Sequence, residues 1–178
     1  KLQDELVDSL INAGEILLGQ HTPFSAANFV IGCPASLPTS GFAHVSSGIT
    51  VDALKSRPFR QALEIANYVK SINRLGEFVI IHLGTNNYVD QETLDEIMVP
   101  LKDVDLVLLI TAHVPTRAWQ DPNNELVRAM PNAYGNVKVL DWYQIAQRHP
   151  EYLYGDKVHL NNEGQKVYAD LIMQAIGK

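Results

Sequence analysis

Two spacings of apolar residues run along this chain. Leu2, Leu6, Leu10, Ala13 and Leu17 recur at helical intervals, with Asp4, Glu5, Asp8 and Glu15 mostly on the other faces. That spacing predicts an amphipathic helix over residues 3–18. Phe59, Leu63, Ala66, Val69 and Ile72 repeat it in a longer helix ending near Gly76. Further helices are expected over 91–101, with Pro100 stopping the helix early, over 122–130, and over 163–176. Residues 37–45 read as a short helix. The second pattern is a short, mainly apolar run, found at 29–32, 49–53, 78–83, 105–111 and 137–140. The run at 105–111 has almost no polar alternation, the mark of a strand buried on both faces. Strands that alternate with helices predict an α/β fold, a three-layer α/β/α sandwich on a central parallel sheet of about five strands. Residues 1–28 are then an N-terminal helix and linker, and residues 29–178 the sandwich domain.

Composition narrows the function. At 178 residues the chain fits one domain, and 46% hydrophobic with 19% charged residues excludes a disordered chain. A net charge of −6 argues against nucleic acid as a partner. A single cysteine leaves no internal disulfide and no cysteine-based zinc site, the histidines lack metal-ligand spacing, and no glycine-rich phosphate loop is present. No metal and no cofactor is expected. The chain opens at Lys1 without a signal sequence, and reads as a domain excised from a longer protein.

In an open parallel sheet the ligand site lies at the carboxyl ends of the strands. Five connecting segments leave there, and they carry Ser, Asn, Arg, Asp and His. Asp156 stands three residues before His159 on a polar loop ahead of the last helix. A carboxylate that fixes the tautomer of a histidine and stabilises its imidazolium is the base half of a nucleophilic site. Asn86, after the strand that ends in Gly84-Thr85-Asn86, is placed to donate to an oxyanion, with a backbone N–H near Ser56 as a second donor. Arg57 suits either an anionic substrate group or a surface ion pair. Trp119 suits either a sugar ring or core packing. His21, His44, His82, His113 and His149 are read as structural histidines, His82 facing a helix.

Together, Gly84-Thr85-Asn86 and Asp156-x-x-His159 resemble the SGNH (GDSL-type) hydrolase superfamily. Residues 51–61, 113–119 and 141–143 are similar to the extracytoplasmic catalytic domain of Gram-positive peptidoglycan O-acetyltransferases. The resemblance runs from about Phe29 to the end. It implies an O-acyl esterase or transferase acting on a cell-envelope glycan through a Ser/His/Asp acyl-enzyme. It also implies an extracytoplasmic location and an upstream integral-membrane acyltransferase as partner.

The chain departs from the family at the nucleophile. A Gly-Asp-Ser is expected after the first strand, and this sequence has Gly32-Cys33-Pro34-Ala35-Ser36-Leu37. Pro34 falls where the serine belongs, and proline has neither hydroxyl nor N–H. Ser36 ranks first as nucleophile, a site without nucleophile second, then Ser9 in the literal Asp8-Ser9-Leu10, then Cys33. A domain that keeps the fold as a glycan- or partner-binding module is the competing function.

Overall fold

The computed structural model describes residues 27–32, 42–45, 49–53, 56–73 and 75–177. The predicted N-terminal helix, Ser9, Cys33, Pro34 and Ser36 lie outside the described residues. Six strands form one sheet: β1 (Ala27–Gly32), β2 (Phe42–Val45), β3 (Ile49–Ala53), β4 (Leu75–His82), β5 (Leu106–Ile110) and β6 (Val137–Leu140). They lie in the order β2-β3-β1-β4-β5-β6. Every pairing is parallel except that of β2 with β3. The five parallel strands are those expected. The antiparallel edge strand is a correction, since residues 42–45 pair with β3 instead of forming a helix. Phe-Ala-His-Val carries no helical period, and its β-branched and aromatic ends favour a pleated edge.

The helices are α1 (Gln61–Ser71), α2 (Gln91–Leu101), α3 (Gln120–Ala129), α4 (Trp142–Arg148) and α5 (Asn162–Ile176). The first ends before Gly76 because Asn73 takes a left-handed φ of 55° and its N–H bonds back to Lys70 O at 2.9 Å. Pro100 sits in the last turn of α2, where it removes one hydrogen bond without ending the helix. Helix α4 was not anticipated; at seven residues it is too short to show a period.

The sheet separates two cores. On one side Val79 and Ile81 of β4 and Val107 and Leu109 of β5 pack against Ala62 and Ala66 of α1, Leu94 and Ile97 of α2, and Val127 of α3. Phe78, Ile80, Leu108 and Ile110 pack on the other side against Trp142 of α4 and Tyr168, Ala169 and Ile172 of α5. Alternate residues of β4 and β5 therefore serve opposite layers, which explains their unbroken hydrophobicity. Set aside the edge strand and the parallel order is 2-1-3-4-5 in chain sequence. Its switch point lies between β1 and β4, where Gly32 pairs with His82.

Helix α5 starts at a tight spot. Asn161 caps it by accepting from Gly164 N at 2.9 Å, and a Cβ on Gly164 would stand 2.0 Å from the Tyr152 carbonyl oxygen. Alanine is worth about 1 kcal/mol over glycine inside a helix. A backbone oxygen cannot yield that much room, and overpacking of this kind costs about 1–3 kcal/mol. Gly164→Ala is expected to lower the urea midpoint. An unchanged or higher midpoint would show that the close approach is absent.

Candidate active site

The chain after β4 makes one half of the site. Gly84 has φ 106°, and a Cβ there would meet only ordinary contacts, so the turn and not the space demands glycine. Thr85 and Asn86 follow, and Asn87 holds a left-handed φ of 61°. The Asn86 amide donates to Thr85 Oγ1 at 2.9 Å and more loosely to Arg57 O at 3.5 Å. Ser56, beside Arg57, is exposed and also left-handed, with φ 60°. A non-glycine residue held there is strained, and such residues gather at functional sites.

This half is fastened from α3. Asn123, 1% exposed, accepts from Val89 N at 2.9 Å and donates to Asn87 O at 2.8 Å and Gly84 O at 3.4 Å. Asn124, equally buried, accepts from Ala112 N and donates to Ala112 O, both at 2.9 Å. Gln120 accepts from Val114 N at 2.7 Å. Trp119 Nε1 donates to Thr85 O at 3.2 Å, and its ring meets Tyr88 edge-on at 6.0 Å.

The acid–base half is the loop before α5. His159 Nδ1 donates to Asp156 Oδ2, which leaves Nε2 as the base nitrogen of the neutral ring. The other oxygen of Asp156 accepts from the amides of Val158 and His159, each at 3.0 Å. Burial raises the Asp156 pKa, but these two amides and the His159 ring outweigh it and hold the carboxyl below its usual range. Asp156 is therefore a carboxylate at neutral pH, as an orienter of imidazolium must be.

Below the rim, Asp141 at the end of β6 accepts from Arg128 twice, at 2.8 and 3.0 Å, and from Thr111 Oγ1 at 2.8 Å. Arg128 also lies over the Tyr143 ring at 5.3 Å. His82 faces α5 as expected. Its Nδ1 meets Tyr168 Oη at 2.6 Å, and burial lowers its pKa to about 4, against a weaker opposing effect of the Thr111 backbone. Its Nε2 is buried without a well-formed hydrogen bond. A neutral ring turned into the helix layer is not the base.

The structure thus brings Asp156 to His159, and Asn86 to the Ser56-Arg57 turn and to Trp119. Arg57, expected either to meet an anionic substrate group or to form a surface ion pair, is buried at 4% exposure, which rules out the surface. Gln120, Asn123 and Asn124 were not anticipated, because polar residues on a helix read as a solvated face. His113, read as one more structural histidine, reaches the acid–base loop. Among the described residues no cluster could hold a metal ion, and no helix is long and apolar enough to cross a membrane.

Comparison with known proteins bears on the fold and the sequence. The solved C-terminal catalytic domain of Streptococcus pneumoniae peptidoglycan O-acetyltransferase A superposes with a TM-score of 0.69 at 24% identity, covering 85% of this chain and 92% of that one. A lipolytic G-D-S-L family member from Veillonella parvula gives 0.65 at 13% identity, covering 85% and 98%. By fold the chain is a three-layer α/β/α sandwich of SGNH (GDSL-type) architecture. In sequence it is similar to YrhL of Bacillus subtilis, 36% identical over 130 residues, and to peptidoglycan O-acetyltransferase OatA of Listeria monocytogenes, 31% identical over 131 residues. Each alignment takes in 73% of this chain, which spans only 20% of either relative's length. The histidinol dehydrogenase family model matches residues 2–79, less than half the chain and none of Asn86, Asp156 or His159.

The supports can be tested apart from the chemistry. Partial burial raises the Asp141 pKa, but Arg128, Thr111 and the Gln144 amide lower it further, so the net shift is downward. A carboxyl depressed by folding stabilises the protein above its unfolded pKa, about 3.9, and loses that contribution as the pH falls through the lower folded value. Asp141→Asn should lower stability at neutral pH and flatten the loss of stability below about pH 4. Urea unfolding across that range would refute the coupling if wild type and variant showed the same acid slope. Asn86→Ala should reduce kcat for an acetyl ester by ~100-fold or more with KM nearly unchanged, the pattern of a group acting in the transition state. Equal changes in both constants would remove Asn86 from the oxyanion site.

Proposed function

We propose that this chain is an O-acetyl esterase or transferase domain acting on a cell-envelope glycan, most specifically in the O-acetylation of peptidoglycan. The observation that carries the reading is the Asp156–His159 pair, hydrogen-bonded on a loop at the carboxyl edge of an SGNH-type sheet that also carries Asn86. The similarity to peptidoglycan O-acetyltransferases supports the substrate class. The reaction begins when Ser36 Oγ attacks the acetyl carbonyl carbon and gives its proton to His159 Nε2. Asp156 steadies the imidazolium. The Asn86 amide and the Ser56 N–H donate to the oxyanion, each donor worth about 3–4 kcal/mol in the transition state. Collapse expels the donor alcohol, which takes the proton from His159, and leaves acetyl-Ser36. A sugar hydroxyl, or water, then attacks that ester while His159 removes its proton, and Ser36 leaves as the alcohol by taking that proton back from His159.

Trp119 and its edge-on neighbour Tyr88, 63% exposed, offer an aromatic rim beside Asn86 for a sugar ring. Buried Arg57 bears on the site through the carbonyl that Asn86 touches, and remains the candidate for an anionic substrate group. The reading places the domain outside the cytoplasm, joined in a longer protein to an integral-membrane acyltransferase that delivers the acetyl group.

Pro34 favours a second reading, a glycan-binding domain that has lost its nucleophile. A serine-directed fluorophosphonate separates the two. Under the catalytic reading it labels Ser36, and Ser36→Ala and His159→Ala each abolish labelling and acetyl-ester hydrolysis without moving the unfolding midpoint. No labelling and no hydrolysis, with both partly restored by Pro34→Ser, would establish the binding domain instead. Labelling at Ser9 or Cys33 would relocate the nucleophile.

A further inference from the structure

The loop that carries Asp156 and His159 is closed upon itself. Tyr154 N donates to His159 O at 2.8 Å, Lys157 N to Tyr154 O at 2.9 Å, and the amides of Val158 and His159 to Asp156. At its base Leu153 and Leu160 form a bridge, and Asn161 N donates to Tyr152 O at 3.0 Å. These bonds fix the shape of the loop but not its height above the sheet. Its tip is exposed from Tyr154 to Lys157. Among the described residues, one hydrogen bond ties residues 154–159 to another element. His113 Nδ1 lies 2.9 Å from the Lys157 carbonyl oxygen.

We propose that His113 is a positioning residue that sets where the Asp156–His159 pair stands over the sheet, by donating its Nδ1–H to the Lys157 carbonyl. A carbonyl can only accept, so the proton is on Nδ1. Lys157 has φ 60°, a left-handed conformation that a side chain adopts only under constraint, and the clamped carbonyl belongs to that residue. His113 itself is held firmly. Asn124 pins the backbone of Ala112 before it, and Gln120 pins Val114 after it. Its ring rests against Tyr143 at 6.0 Å, and Arg128 covers Tyr143 in turn. The same segment sends Trp119 to Thr85, so the chain leaving β5 braces both halves of the site. A base must meet its nucleophile within a fraction of an ångström, and a misplacement near 1 Å can cost ~100-fold in rate.

The inference rests on the acyl-transfer reading for its kinetic consequence, so the test has one arm that needs no turnover. His113→Phe keeps a ring against Tyr143 and removes the donor. His113→Asn returns an N–H close to the place of Nδ1. The expected result for His113→Phe is a ~10- to 100-fold fall in kcat with KM within about twofold and an unchanged unfolding midpoint. Hydrogen exchange at the Val158 and His159 amides should quicken in the same variant. His113→Asn should recover most of both. Wild-type exchange in His113→Phe, or no recovery in His113→Asn, would overturn the proposal, as would a loss of activity that tracks a fallen midpoint. If the wild type hydrolyses no acetyl ester, the proposed function fails, and amide exchange alone decides the role of His113.

Discussion

Three amides on one helix hold the site together. When the chain leaves β4 and β5, its N–H and C=O groups lose the sheet ladder that satisfied them, yet Gly84, Val89, Ala112 and Val114 stay buried. Gln120, Asn123 and Asn124 replace the ladder, bonding to the backbone of Gly84, Asn87, Val89, Ala112 and Val114. A hydrogen bond of this kind contributes only about 1 kcal/mol net, but an orphaned buried group costs about 1–3 kcal/mol, and removing one amide would orphan several. The energetic weight therefore lies in what absence would cost. These bonds also fix which way Asn86 and His113 leave the sheet, so the geometry of both halves of the site traces back to α3.

The two halves are built to different standards of rigidity. Asn86 stands on a turn fastened by a residue 1% exposed, while Asp156 and His159 have side chains 48% and 32% exposed on a loop. Oxyanion stabilisation depends on donors aimed before the charge develops, and it suits the rigid half. Under the proposed function, a base that must accept and return a proton suits an open one. The arrangement asks that the open half be steered by few contacts, and the His113 clamp supplies one without closing the cleft.

Much of this was legible in the sequence. The unbroken runs of β4 and β5 declared a parallel sheet covered on both faces, and Asp156-x-x-His159 declared a carboxylate within reach of an imidazole, because in each case residue type is itself the signal. Residues 42–45 mislead, since four residues on an edge show no period and the strand exists only through pairing with β3. The α3 amides were invisible for a different reason. Gln-Asp-Pro-Asn-Asn-Glu looks like a solvated face, and its inward residues differ from its outward ones only by what lies opposite. His113 was hidden because its partner is a backbone carbonyl, which every residue carries.

The sequence after β1 is where residue chemistry and fold press hardest on each other. Gly32 pairs with Ala53 on one side and His82 on the other, so the chain leaves the sheet at its centre, beside the β1/β4 switch point. A nucleophile in such a turn commonly uses its own N–H as an oxyanion donor as well as its hydroxyl for attack. Pro34 can supply neither. The two losses fall on one residue, and a change at Pro34 alone would have had to remove attack and stabilisation together. Ser36 carries both groups two residues on, while Asp156 and His159 stay hydrogen-bonded to each other. A domain free of catalytic demand has no physical reason to hold a carboxylate against an imidazole on an exposed loop, where the pair adds little to stability. Under the proposed function, the pair is a physical reason to place the nucleophile at Ser36 instead of dispensing with one.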